Sequence, residues 1–199
     1  MRLREALLIV DVQNDFCPGG SLAVPDADRV IPVLNKYIKF FSARKLPIIV
    51  SRDWHPPRTV HFKQFGGLWP AHCVEQTFGA RFHPDLRLPS NAVIVSKGMD
   101  PAADSYSAFQ AVDGSNHLAA SILREQQTTR IFVGGLATDY CVKASVLDAL
   151  KSGFKVTILT DAIKGVNIRP EDSPNALQAM LDAGAVGLTL PEFISEHKH

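Results

Sequence analysis

Little in this 199-residue chain is extreme, and each missing extreme removes a class of function. There is no excess of one charge: 21 Lys and Arg stand against 20 Asp and Glu, with no basic block or stripe. Neither nucleic acid nor an anionic membrane surface is therefore an expected partner. No apolar run approaches the ~20 residues that a membrane-spanning helix needs. The N-terminal MRLREALLIVDVQNDF begins like a secretion signal, but its apolar stretch from Ala6 to Val10 runs straight into Asp11 without a small-residue cleavage site. Cysteine is scarce: Cys17, Cys73 and Cys141 are odd in number and widely spaced. They are too few for a disulfide framework, so a reducing, cytoplasmic compartment with thiols free for chemistry is expected. Glycine and proline, 13 of each, exclude collagen-like and low-complexity chains. There is no internal repeat and no linker. With 46% hydrophobic and 21% charged residues, the sequence fits one globular domain over 1–199 that acts on small molecules or protein partners.

What is present is alternation. Ala6–Val12, Pro47–Ser51, Ala92–Ser96, Arg130–Gly134, Lys155–Thr160 and Val186–Leu190 are short, β-branched and almost continuously apolar. Such runs suit strands of a parallel sheet covered on both faces. Between the first two, Val30, Val33, Leu34, Tyr37, Ile38 and Phe41 share one helical face. Val142, Val146, Leu147 and Leu150 form a similar stripe, and Asn116–Glu125 reads as another helix. Ser173-Pro174 reads as the N-cap and first residue of a last helix that runs toward Gly184. The expected fold is a three-layer, doubly wound α/β domain with a mostly parallel six-stranded sheet and helices on both faces. Two connections, Arg52–Asn91 and Gly98–Ser115, exceed ordinary loop length. The first is rich in Trp and His and reads as a binding loop. The closing His197-Lys198-His199 reads as a frayed, solvent-exposed terminus.

Sheets of this type bind ligands beyond the carboxyl ends of their strands, and four strands deliver polar groups there. These are Asp11, then Arg52-Asp53-Trp54-His55, then Lys97, then the segment from Gly134 to Cys141. A lone cysteine is most often an inert core residue, but Cys141 falls in the first turn of an expected helix, where N–H groups and the dipole favour a thiolate. Asp11 reads either as an ordinary turn carboxylate or as a base for such a thiol, and Lys97 either as a solvated surface charge or as the partner of Asp11. Asp53 and His55 converge from an extended segment, with His61 and His72 following. Carboxylate and imidazole together suit zinc, iron or manganese.

These motifs carry a resemblance. The stretches ALLIVDVQNDFCPGGSL, RDWHPP, GGLWPAHCV, VSKGMD, GGLATDYCV and TDAIKGV resemble, nearly end to end, the isochorismatase-like cysteine hydrolases. Within them the chain is similar to the metal-dependent nicotinamidase/pyrazinamidase branch. The resemblance implies a catalytic set of Asp11, Lys97 and Cys141. It implies metal ligands Asp53, His55 and His72, with His61 matching a fourth histidine that some members carry. Phe16, Trp69 and Tyr106 match aromatic walls around a pyridine ring. A cis peptide at Leu136–Ala137 would aim the N–H groups of Ala137 and Cys141 at an oxyanion. Asp139 stands where close members carry glutamate. The implied reaction is hydrolysis of nicotinamide to nicotinate and ammonia, with one divalent metal, zinc foremost and iron or manganese as alternatives. Members range from monomers to larger assemblies, so a homo-oligomer is compatible. The rival expectations are another amidase of the superfamily and a non-catalytic relative that binds a ligand on the same scaffold.

Overall fold

The computed structural model describes residues 4–198; Met1–Leu3 of the N-terminal stretch and His199 of the closing triplet lie outside them. Six strands form one sheet: β1 (Glu5–Val10), β2 (Ile48–Asp53), β3 (Val93–Lys97), β4 (Arg130–Leu136), β5 (Lys155–Lys164) and β6 (Val186–Leu188). Their order is β3-β2-β1-β4-β5-β6, and every pairing is parallel. Successive residues of β1 supply both faces, as period-two geometry requires. Leu7 and Ile9 pack with Phe41 of α1 (Val30–Ala43) and Phe193 of α5 (Leu190–Glu196). Ala6, Leu8 and Val10 pack with Leu123 of α2 (Ala119–Glu125), Val146 of α3 (Lys143–Lys151) and Met180 of α4 (Asp172–Asp182). The chain winds outward from β1 through β2 and β3, then returns to start β4 on the other side of β1. That reversal opens a crevice beyond the ends of β1 and β4. Gly135 lets the two strands close there: its φ is +124°, and a Cβ would lie 2.1 Å from the Val10 carbonyl oxygen. Among the described residues no helix is long and apolar enough to cross a membrane.

Several element boundaries differ from the sequence expectation. β1 stops at Val10 rather than Val12, because Asp11 turns into the left-handed region at φ 50°. β5 runs past Thr160 to Lys164 after a register shift against β4 between Val133 and Gly135. β3 and β6 lie at the sheet edges, so Ile94 and Val186 are exposed rather than buried. α2 starts three residues late, since Asn116 is left-handed and Leu118 bridges to Val112. In α4, Ser173 and Pro174 lie inside the first turn; Glu171 holds the N-cap position, and the Asp172 carboxylate accepts from the Arg169 N–H. α5 replaces the end of the expected last strand. Its signal is a capping box in which the Glu192 carboxylate accepts from the backbone N–H and hydroxyl of Thr189. His197 is docked rather than frayed: its ring lies against Phe40 and Phe193, and its nitrogens meet the Phe193 carbonyl and the Glu5 carboxylate.

Candidate active site

The crevice is built from strand ends. Asp11 follows β1, Asp53 ends β2, Lys97 ends β3, and Cys141 lies in a π-helical turn (Thr138–Val142) between β4 and α3. A π turn of this kind often marks a functional position in a helix. All four side chains are buried. Lys97 stands at their centre. Its ammonium is 2.8 Å from Asp11 Oδ2, donates to Asp53 Oδ1, and lies 3.4 Å from Cys141 Sγ. Ser51 donates to Asp11 Oδ1 at 2.6 Å. Oxygen atoms of Asp11 and Asp53 and the Cys141 sulfur all lie within 4.8 Å of one another. The Lys97 ammonium among them already supplies a positive charge to this trio. Burial drives the Cys141 thiol well above its ordinary range, against the pull of Lys97. The resting group is therefore the thiol, not the thiolate that an exposed helix N-terminus favours. Burial also raises Asp11, which Lys97 opposes. Asp53 is lowered despite burial, because Lys97 and the neighbouring histidines favour its charge.

The long connection after β2 folds back over the crevice and delivers His55, His61 and His72, all buried. Their ligand nitrogens lie within 4.8 Å of one another. Each ring has its Nδ1 against an oxygen: the Gly98 carbonyl for His55 at 3.0 Å, Asp104 for His61 at 2.5 Å, and the Pro70 carbonyl for His72 at 2.8 Å. Oxygen acceptors demand a proton on Nδ1, which leaves the Nε2 lone pairs to face inward. Asp53 Oδ2 is 3.8 Å from His55 Nε2 and 3.9 Å from His72 Nε2. The His55 Nε2 atom is buried without a hydrogen-bond partner among the described residues. Burial lowers His61, and brings His72 to about 4, so at neutral pH these two imidazoles offer lone pairs. An orphaned nitrogen, neutral imidazoles, a carboxylate and oriented second partners fit a divalent metal ion. Gly98 belongs to this arrangement, since a Cβ on it would lie 2.4 Å from the His55 ring.

Beside the histidines and Cys141 lies a pocket of about 330 Å³ including its open mouth, with Phe16, Trp69 and Tyr106 in its wall. The Trp69 indole N–H donates to the Tyr106 hydroxyl at 3.1 Å, tying the two long connections together. Leu22, Tyr140 and Val166 complete the wall and were not singled out from the sequence. Tyr140 had a usable signal, because it adjoins Cys141; its ring meets Trp69 edge-on at 4.8 Å. Leu22 and Val166 carry no polar signature. Asp139 holds Val166 in place by accepting from the N–H groups of Val166 and Asn167 at 2.9 and 2.7 Å. The Leu136–Ala137 peptide is cis, and the Ala137 carbonyl accepts from the N–H groups of Tyr140 and Val142. Ser145 secures the turn that carries Cys141, donating to the Cys141 carbonyl at 2.6 Å and accepting from the Ala108 N–H at 2.8 Å.

A thiol beside a carboxylate, next to oriented imidazoles and an aromatic slot, is equipped to attack a planar acyl compound. Known proteins are similar to this chain in sequence and in fold. The isochorismatase domain model matches residues 5–192. A nicotinamidase of Escherichia coli (strain K12) is 43% identical, the match covering 94% of this chain and 96% of that protein. The pyrazinamidase of Pyrococcus horikoshii in complex with zinc superposes with a TM-score of 0.87 at 44% identity, covering 94% of this chain and 99% of that one. PnC1 from L. infantum in complex with nicotinate gives 0.84 at 34% identity, covering 94% and 93%. With its parallel sheet, its crevice and the family model covering nearly its whole length, the chain belongs to the isochorismatase family.

Proposed function

We propose that the chain is a nicotinamidase, hydrolysing nicotinamide to nicotinate and ammonia through a thioester on Cys141. The observation that carries this is Lys97: one buried ammonium joins the nucleophile, its carboxylate neighbour and the carboxylate that faces the histidines. The likeness to nicotinamidases and pyrazinamidases supports the choice of a pyridine carboxamide among amides.

Phe16, Trp69 and Tyr106 hold the ring in the slot and place the carboxamide carbon over Sγ, so that much of the barrier is met by positioning. The Asp11 carboxylate, with an oxygen within 4.8 Å of Sγ, takes the thiol proton as sulfur bonds to the carboxamide carbon. N–H groups of Ala137 and Cys141 receive the oxyanion, a donor type worth about 3–4 kcal/mol when lost. Asp11 then gives the proton to the departing nitrogen, and ammonia leaves as the C–N bond breaks. A water molecule, losing its proton to Asp11, attacks the thioester carbon; the C–S bond breaks and sulfur regains a proton. Lys97 keeps Asp11 ionised between these transfers and offsets the charge that builds on it. Asp53, His55 and His72, with His61 as a fourth, would hold one divalent ion, zinc first among candidates, as the neighbour complexed with zinc supports. Such an ion supplies a Lewis acid facing the pocket and an anchor for the pyridine nitrogen.

Ammonia release from nicotinamide, measured before and after chelation, tests this. Release that is lost on chelation and restored by zinc, iron or manganese is expected. Release that survives complete metal removal would refute the metal anchor, and metal-loaded protein giving no ammonia would refute the substrate.

A further inference from the structure

Gln13 takes no part in the chemistry above, yet it is fully buried and spends its whole carboxamide on main-chain groups. Its Oε1 accepts from the Asp53 N–H at 2.8 Å. Its Nε2 donates to the Asp53 carbonyl at 2.8 Å and to the Ala80 carbonyl at 2.9 Å. The reason lies in the sheet. β1 and β2 stay in register through Val10 and Ser51, and the Asp11 N–H still reaches the Ser51 carbonyl. Asp11 then turns left-handed, and the chain leaves the ladder two residues before Asp53 would need a partner. Buried main-chain groups left unpaired are costly, and a carboxamide has the same donor and acceptor as a peptide unit. From this geometry we infer that Gln13 is a positioning residue for the metal site: its side chain serves as the missing strand residue, fixing the Asp53 main chain so that Oδ1 meets Lys97 and Oδ2 faces His55 and His72. The third bond, to Ala80, ties in the far end of the loop that carries the histidines. This rests on the reading of Asp53 as a metal ligand.

Titration of chelator-stripped protein with Co²⁺, followed by visible d–d absorption and by competition with a chelating dye, separates the two readings. Gln13→Glu keeps the acceptor for the Asp53 N–H but sets a carboxylate oxygen against two carbonyls. Gln13→Met keeps the volume without either function. Metal-free melting temperatures report folding independently. Expected are folded variants that bind Co²⁺ about 10–100-fold more weakly than wild type, with altered d–d bands, the range typical of outer partners of metal ligands. Wild-type affinity and spectrum in folded variants would overturn the inference while leaving the metal reading intact. So would a lowered melting temperature with unchanged affinity, or failure of both variants to fold, since Gln13 would then brace the fold alone. Wild-type protein that binds no Co²⁺ would overturn the metal reading and this inference with it.

Discussion

Replacing Lys97 by methionine removes the central charge of the site while nearly keeping its volume. Asp11 and Asp53 would remain buried, each having lost its principal counter-charge. Removing one partner of a buried ion pair costs about 3–5 kcal/mol, because the remaining charge cannot be rehydrated. For a chain of this size each kcal/mol lowers Tm by roughly 2–4 °C, so a fall of roughly 6–20 °C is expected. The pH dependence has a definite sign. Lys97 is the main influence lowering both carboxyls, and Asp11 is raised even in its presence. Without it both folded-state values rise above the unfolded value of ~3.9. A carboxyl raised on folding destabilises at pH above its folded value, and that cost fades as pH falls and the group takes up a proton. Wild-type Asp53, being lowered, loses its contribution only below the unfolded value. The gap between wild type and variant should therefore narrow from pH 8 to pH 5. Thermal melts of chelator-treated proteins at both pH values read this directly. A loss under about 1 kcal/mol, or a gap that is constant or widens on acidification, would refute the argument that Lys97 neutralises two buried carboxylates.

Cys141→Ala should abolish ammonia release while leaving the melting temperature and bound metal near wild type; residual turnover at a substantial fraction of wild type would exclude the covalent route. Trp69→Ala removes an aromatic wall and the donor to the Tyr106 hydroxyl, so KM for nicotinamide should rise at least tenfold, and steady-state kinetics with unchanged KM and kcat would exclude the stacking role. Gly98→Ala should displace the His55 ring by its new Cβ and lower metal affinity about tenfold or more, read by dye competition; full affinity would show that the ring position is not critical.

The layered fold was readable in the chain because its signals are local. Continuous apolar runs such as Leu7–Val10 and the helical stripe from Val30 to Phe41 declare their own conformation, and parallel strands separated by helices admit few topologies. The polar residues that end those runs, Asp11, Asp53, Lys97 and Cys141, were legible for the same reason: a charged or nucleophilic group at the carboxyl end of a buried strand has little structural purpose. The edges were not legible. Ile94 and Val186 sit in runs like those of central strands, and only the assembled sheet shows which strands lie outermost. Nor was the exact face of α3, where Ser145 and Ala149 are buried and Leu147 and Leu150 are half-buried, because what packs against a helix comes from elsewhere in the chain.

Residue types at strand ends and in the loop after β2 thus name the groups that this protein has to work with: a thiol, a carboxylate, an ammonium and a set of imidazoles. Tertiary structure alone decided how they are wired. Asp53 and Lys97 are 44 residues apart in the chain, and Gln13 and Asp53 are 40 apart. Whether the Cys141 sulfur rests as thiol or thiolate depends on its burial beside Lys97, Asp11 and Asp53. Hydrophobic period is set by neighbours a few positions away. Charge state and hydrogen-bond partnership are set by whatever the fold brings within about 4 Å, where low dielectric makes each group's state depend on the others.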